Sequence, residues 1–186
     1  MKVFLDMDGV IVDFLKGLHK SLDAPYSYKD YLYEKGKWNM LTDIRGFNDI
    51  PVTFEQYNDC CTDVFWRNLE WIHDGHFILN AVTEKFGANN IYLLTTPMPN
   101  LGSWTGKARW VNKNLPYYSK RLIISTASKS LLAGSDTLLI DDKDENVDEF
   151  RAAGGRAILV PRPWNKLNSW ADVSLQQVKQ NLEGIR

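Results

Sequence analysis

"FLDMDGVIVDF", residues 4–14, decides how the chain is read. An apolar run of the kind that forms a buried strand ends on two carboxylates, Asp6 and Asp8, with only Met7 between them. Acids crowded at the end of such a strand repel each other and lose solvation, so a cation or a proton must hold them there. Gly9 supplies the backbone freedom for a sharp exit, and Phe14, Leu15, Leu18 and Leu22 then recur at helical spacing. The stretch reads as strand, acidic turn and helix.

Further along the chain the same alternation returns. The spacing predicts a helix near 75–86, with Phe77, Ile78, Ala81 and Val82 on one side and Gly87 as its stop. "IYLLTT" (91–96) reads as a strand, followed by a helix with Ser103 as N-cap and Trp104, Ala108, Val111 and Leu115 in register. "RLIIS" (121–125), "TLLID" (137–141) and "RAILV" (156–160) are further strands, the last reached through a helix ending at Gly154 and Gly155. The tail, with Trp170 and a helix from about Ser174, is expected to pack on the sheet. Continuous apolar strands separated by amphipathic helices predict an α/β fold: a Rossmann-like parallel sheet of about five strands covered by helices on both faces.

Residues 24–68 break this rhythm, being crowded with aromatics at weak periodicity. "TFEQ" (53–56) there has the form of a capping box, with Phe54, Tyr57, Cys61 and Val64 giving one apolar helical face. We expect a small, mainly helical cap over 17–71, inserted after the first strand into a core formed by 1–16 and 72–186.

Bulk properties narrow the function. The 186 residues carry 22 Lys plus Arg against 23 Asp plus Glu, with no basic block, so the electrostatic footprint of a partner for long nucleic acid is missing. No stretch approaches the roughly 18–20 uninterrupted apolar residues of a membrane span, and "MKVFLDMD" has neither the form of a signal peptide nor that of an anchor. The only cysteines, Cys60 and Cys61, are adjacent, which argues against a structural disulfide and for a reducing, cytoplasmic setting.

Ligands of open parallel sheets bind outside the carboxyl ends of the strands. Those ends carry Asp6 and Asp8, then Thr95 and Thr96, then Lys129 after the third strand, then Asp141 and Asp142. Four carboxylates on one edge call for a hard cation with oxygen ligands, and few carboxylates plus a substrate phosphate is the set that Mg²⁺ prefers. Hydroxyl and ammonium donors facing the same point complement a phosphoryl group.

These residues resemble the haloacid dehalogenase-like (HAD) phosphatases. "DMDGV" is similar to that family's first motif, the hydroxyl of "LLTTP" to its second, Lys129 in "ASKSLL" to its third and "LLIDDKDEN" to its fourth, all in order. Through "DMDGVIVDF", "FWRNLEWIHDG", "LLTTP" and "LLIDD" the closer resemblance is to the 5'(3')-deoxyribonucleotidases. It implies that Asp6 attacks phosphorus and that Asp8 passes protons to the leaving oxygen and from water. It also implies Mg²⁺ held by Asp6, the Asp8 carbonyl and Asp141, with Asp142 assisting, and a phosphoryl group gripped by Thr95, Thr96 and Lys129.

The implied substrate is a nucleoside monophosphate, with Phe14, Trp38, Phe65 and Trp66 as its wall and the aromatic lid as a surface on which two copies could pair. Each residue also has a plainer reading. The first acid pair could be a turn with helix N-terminal charge, the threonines ordinary strand residues and Lys129 a solvated helix start. Asp13 is expected to cap the following helix, and His19, His73 and His76 show no ligand spacing. Competing functions are hydrolysis of another small phosphate ester, noncatalytic binding on the same fold, and a 3'-phosphatase acting on DNA ends.

Overall fold

Every strand of the computed structural model, which describes residues 1–29, 31–38, 41, 43–45 and 51–185, lies in one sheet. Strands β1 (Lys2–Leu5), β2 (Ile91–Thr95), β3 (Leu122–Ile124), β4 (Thr137–Asp141) and β5 (Arg156–Leu159) are all parallel, in the order β3-β2-β1-β4-β5. The chain leaves β1 towards one edge and returns on its other side at β4, so the crevice outside the end of β1 is the switch point where such sheets bind ligands.

Strand alternation assigns the faces. Val3 and Leu5, with Leu93, Leu138 and Ile140, pack against helices α4 (Gly75–Phe86), α5 (Leu101–Asn114) and α7 (Ser174–Glu183) through Ile78, Val82, Trp110, Val111, Val178 and Leu182. Phe4, Leu94 and Leu139 point the other way, onto Phe150 of α6 (Asp144–Ala152) and onto Leu132. The sheet is thus covered on both faces, and its central strands are apolar on both sides, with exposed residues such as Lys2 and Arg156 only where strands begin. No helix among the described residues is long and apolar enough to cross a membrane.

Helix ends follow local chemistry. Asp13 is the N-cap of α1 (Phe14–Ser21), accepting from the Lys16 amide at 3.1 Å, and Gly87 ends α4 at φ +76°. The N-cap of α5 is Asn100, not Ser103: the Asn100 side chain accepts from the Ser103 amide, while the Ser103 hydroxyl accepts from the Met98 amide and is buried. The register of α5 also departs from expectation. Its buried stripe is Ser103, Gly106, Lys107, Trp110 and Val111, at i, i+3, i+4, i+7 and i+8, and Ala108 faces solvent. Phe77 and Trp170 are likewise exposed, leaving α4 to pack through Ile78, Leu79, Ala81 and Val82.

The expected single helix after "TFEQ" is two. The capping box is present, with Thr53 and Gln56 bonded reciprocally, and α2 spans Phe54–Cys60. Thr62 then caps a new helix, α3 (Asp63–Arg67), by accepting from the Phe65 amide, and the Trp66 indole donates to the Cys61 carbonyl across the break. Phe54 and Val64 are therefore both exposed. His19 is buried nearby. Since the Pro25 carbonyl 2.6 Å from its Nδ1 can only accept, Nδ1 carries the proton and Nε2 accepts from Tyr33 at 2.8 Å; burial lowers its pKa.

Helix α3 lies directly on α5, where Gly102 and Gly106 permit backbone contact. A Cβ on Gly106 would meet the Trp66 Cβ at 2.4 Å and the Asp63 carbonyl at 2.8 Å. Gly106→Ala should therefore destabilise the protein by about 1–3 kcal/mol, since neither neighbour is a movable side-chain end. Urea denaturation measures this, and unchanged stability would show that α3 is not seated as described.

Candidate active site

The carboxyl ends of the strands converge as the sequence requires. Asp6 follows β1 and Asp141 ends β4; with Asp142 they each offer an oxygen within 4.8 Å of the others, and all three are buried. Lys129 enters this group on a single 3-10 turn, Lys129–Leu132, capped by Ser128. Its Nζ lies 2.8 Å from Asp6 Oδ1 and 2.6 Å from Asp141 Oδ2. Burial works against the ammonium, but the two carboxylates outweigh it and raise its pKa.

The negative charge is not neutralised by that one lysine. Burial pushes Asp6 up to about 7, with Lys129 opposing and Asp141 and Asp8 adding repulsion. Asp142 is also raised, by burial first and then by Asp141 and Asp6. Raised acids that lie together, with oxygen donors only, are what a hard divalent cation would relieve. The donor set therefore fits Mg²⁺.

The two acids ending β4 differ in their surroundings. Both oxygens of Asp141 already accept hydrogen bonds from the protein, from the Lys143 amide at 2.9 Å, from Asn146 at 3.1 and 3.2 Å, and from Lys129. Asp142 lines the cavity; its Oδ2 accepts from the Trp164 indole at 2.6 Å and its carbonyl accepts from Asn165 at 2.8 Å. Gly9, at φ +74°, lies so close that a Cβ would fall 2.1 Å from Asp142 Oδ2. Only glycine lets the turn after β1 pass the second acid pair.

The cavity above these acids has a volume of about 430 Å³. Asp6, Asp8, Thr96, Lys129 and Asp142 line its polar end, and Phe14, Trp38, Phe54, Tyr57, Trp66 and Met98 its aromatic and apolar walls. Phe14 and Trp66 stack at 5.0 Å with 5° between their planes. Of the expected wall residues, Phe65 is not part of this cavity: it packs edge-on behind Phe14 and Trp66 and faces a separate surface groove with Lys16 and Lys20. Phe54 and Tyr57, read from the sequence only as one face of a helix, take its place.

Thr95 and Thr96 part company. Thr96 is exposed at the cavity, whereas Thr95 is fully buried and its hydroxyl accepts from Lys107 Nζ at 2.9 Å. Lys107 was not anticipated. Its position on the buried stripe of α5, three residues before Trp110, was the signal, but a helical lysine reads as solvated.

A second group, whose Arg162 and Asn165 stand at the end of the fifth strand in the sequence but carry no role readable there, lies after β5. Arg162, fully buried, forms a two-pronged ion pair with Asp74, both distances 2.8 Å, and donates from Nε to the Gly9 carbonyl at 2.5 Å. Burial opposes the charge on each, but the pairing prevails and holds Asp74 below its ordinary range. With Trp164 and Asn165 bonded to Asp142, the segment 162–165 braces both acid pairs from behind.

The family described as "5' nucleotidase, deoxy (Pyrimidine), cytosolic type C protein" matches residues 1–181. A human protein, the 5'(3')-deoxyribonucleotidase of cytosolic type, is 28% identical over 198 residues, covering 92% of this chain and 90% of its own length. Among solved structures, a phosphonoacetaldehyde hydrolase-like protein from Oleispira antarctica aligns with a TM-score of 0.47 at 14% identity, over 98% of this chain and 83% of that one. A HAD family enzyme from Bacteroides thetaiotaomicron, in complex with magnesium and inorganic phosphate, aligns at 0.41 with 16% identity, over 87% and 94%.

Proposed function

The chain belongs to the deoxy (pyrimidine), cytosolic type C family of 5'-nucleotidases, HAD-type phosphoric monoester hydrolases, and from that premise we propose a specific reaction. The protein hydrolyses nucleoside 5'-monophosphates, deoxyribonucleotides foremost, with Mg²⁺ and through a phosphorylated Asp6, in the cytoplasm. The observation that carries this reading is the set of three buried acids around Lys129 at the floor of an aromatic-walled cavity.

An Asp6 oxygen attacks phosphorus as the bond to the ester oxygen breaks, and Asp8 gives that oxygen a proton. Water then attacks the phosphorylated Asp6, Asp8 takes back a proton, and phosphate leaves. Lys129 and Thr96 hold phosphoryl oxygens, with Thr95 behind them. Asp6, the Asp8 carbonyl and Asp142, which lines the cavity, would hold the cation, whereas Asp141, expected from the sequence as the direct ligand with Asp142 assisting, lies beside them with both oxygens already bonded within the protein; the ion would supply charge neutralisation and polarisation of the phosphoryl group. Residues 17–71 act as a cap over the core, with Trp38, Phe54 and Tyr57 beside Phe14 and Trp66 as the wall against which a base lies.

Phosphate release from the common ribo- and deoxyribonucleoside 5'-monophosphates, 3'-phosphorylated oligonucleotides and phosphosugars, each with and without Mg²⁺, tests the proposal. We expect release from the 5'-nucleotides, faster with deoxyribose and lost when EDTA removes the metal. Equal rates on phosphosugars would overturn the nucleotide assignment, and full activity in EDTA would overturn the metal.

A further inference from the structure

Lys107 is an ammonium with 1% of its surface exposed, placed by the middle of α5. Burying such a charge costs several kcal/mol unless partners replace its water. Here three do. Its Nζ donates to Asp8 Oδ2 in a short contact and to Thr95 Oγ1 at 2.9 Å, and it lies 4.1 Å from the centre of the Trp66 ring. Each partner is fixed in turn: Thr95 by the sheet, and Trp66 by its indole bond to Cys61 and by the glycine contacts between α3 and α5.

The other oxygen of Asp8 is treated differently. Oδ1 is a buried atom with no hydrogen-bond partner among the described residues, and Asp8 lines the cavity. The Asp8 side chain is a quarter exposed although Oδ1 is sheltered, so Lys107 holds the carboxylate at the edge of the cavity.

We infer that Lys107 is the positioning residue for Asp8: by holding Oδ2 it fixes the carboxylate plane and the direction in which Asp8 exchanges a proton with the leaving oxygen and then with water. The inference rests on the proposed roles of Asp6 and Asp8. In the first step the Asp8 proton moves to the ester oxygen as the phosphorus–ester bond breaks and the bond from Asp6 to phosphorus forms. In the second, a proton from water returns to Asp8 as the water oxygen bonds to phosphorus and the link to Asp6 breaks.

The role separates from phosphate binding through the leaving group. A nucleoside alkoxide needs the proton, whereas p-nitrophenolate leaves without one. Lys107→Met should lower kcat/KM for a deoxyribonucleoside 5'-monophosphate about 100-fold, with KM nearly unchanged, and that for p-nitrophenyl phosphate less than about 10-fold. With the latter substrate the variant should also show a burst of about one p-nitrophenolate per active site, because water attack on the phosphorylated Asp6 still needs Asp8. Lys129→Met, which loses a phosphate contact, should reduce both substrates alike.

Circular dichroism identifies a Lys107→Met variant that fails to fold. Lys107→Gln, of similar length and uncharged, then carries the same comparison with the same expected contrast. Equal losses on the two substrates, or wild-type rates on both, would overturn the assignment while leaving the proposed function standing. A wild-type protein inert on both substrates would defeat that function and this inference together.

Discussion

Asp6→Asn should abolish nucleotide turnover, lowering kcat about a thousandfold or more, while the protein folds and melts much as the wild type does. The substitution keeps shape and volume but replaces the proposed nucleophile, the Asp6 carboxylate whose Oδ1 lies 2.8 Å from Lys129 Nζ, with an amide. Folding should survive because burial pushes Asp6 up to about 7, so its charge opposes folding at neutral pH and its removal costs none of that, and Lys129 keeps Asp141 as a partner. The check is kcat with a deoxyribonucleoside 5'-monophosphate beside a thermal melt. A variant that folds and still turns over at the wild-type rate would eliminate the covalent route.

The largest loss of stability is expected from Arg162→Met. Removing the guanidinium leaves Asp74 as an unpaired buried carboxylate, at a cost of about 3–5 kcal/mol. The same change releases the Gly9 carbonyl, so the turn carrying Asp8 loses its rear support and activity falls in the fraction that still folds. Replacing both members of the pair, Arg162→Met with Asp74→Leu, should cost less than the two single changes added together, because no charge is left stranded. Chemical denaturation of the four proteins measures this. Strict additivity would mean that the buried pair does not couple the segment after β5 to the start of α4.

Much of this architecture could be read in the chain because local signals agreed with the tertiary result. Apolar runs bounded by acids, hydroxyls or glycine gave five strands whose ends carry chemistry, and the sheet places Asp6, Asp141, Asp142 and Lys129 together. Helix stops at Gly87 and the capping box at Thr53 were legible for the same reason, since they depend on neighbours within four residues. The order of strands was not legible, because which apolar strand pairs with which is decided across the sheet.

The residues whose roles were not legible share one property. Lys107, Arg162 and Trp164 are buried by tertiary partners distant in sequence: Asp8 lies 99 positions from Lys107, Gly9 153 from Arg162 and Asp142 22 from Trp164. Local pattern assigns a charged side chain to solvent, and only the assembled site supplies its counter-charge. Trp66 was found as a wall residue while Phe65 was misplaced beside it, because adjacent helical residues face different sides and the break at Thr62 resets the helical phase. In α5, a stripe containing Gly106 and Lys107 does not score as apolar, so the register drifted to Trp104 and Ala108.

Whether Asp6 and Asp142 share one divalent ion decides the proposed chemistry, and calorimetric titration of Mg²⁺ into the protein in the presence of inorganic phosphate measures this most directly. One ion should bind per chain in the wild type, and Asp142→Asn, which keeps the contact to Trp164 within reach but removes the charge, should lose that binding. Undiminished binding in Asp142→Asn, or none in the wild type, would contradict it.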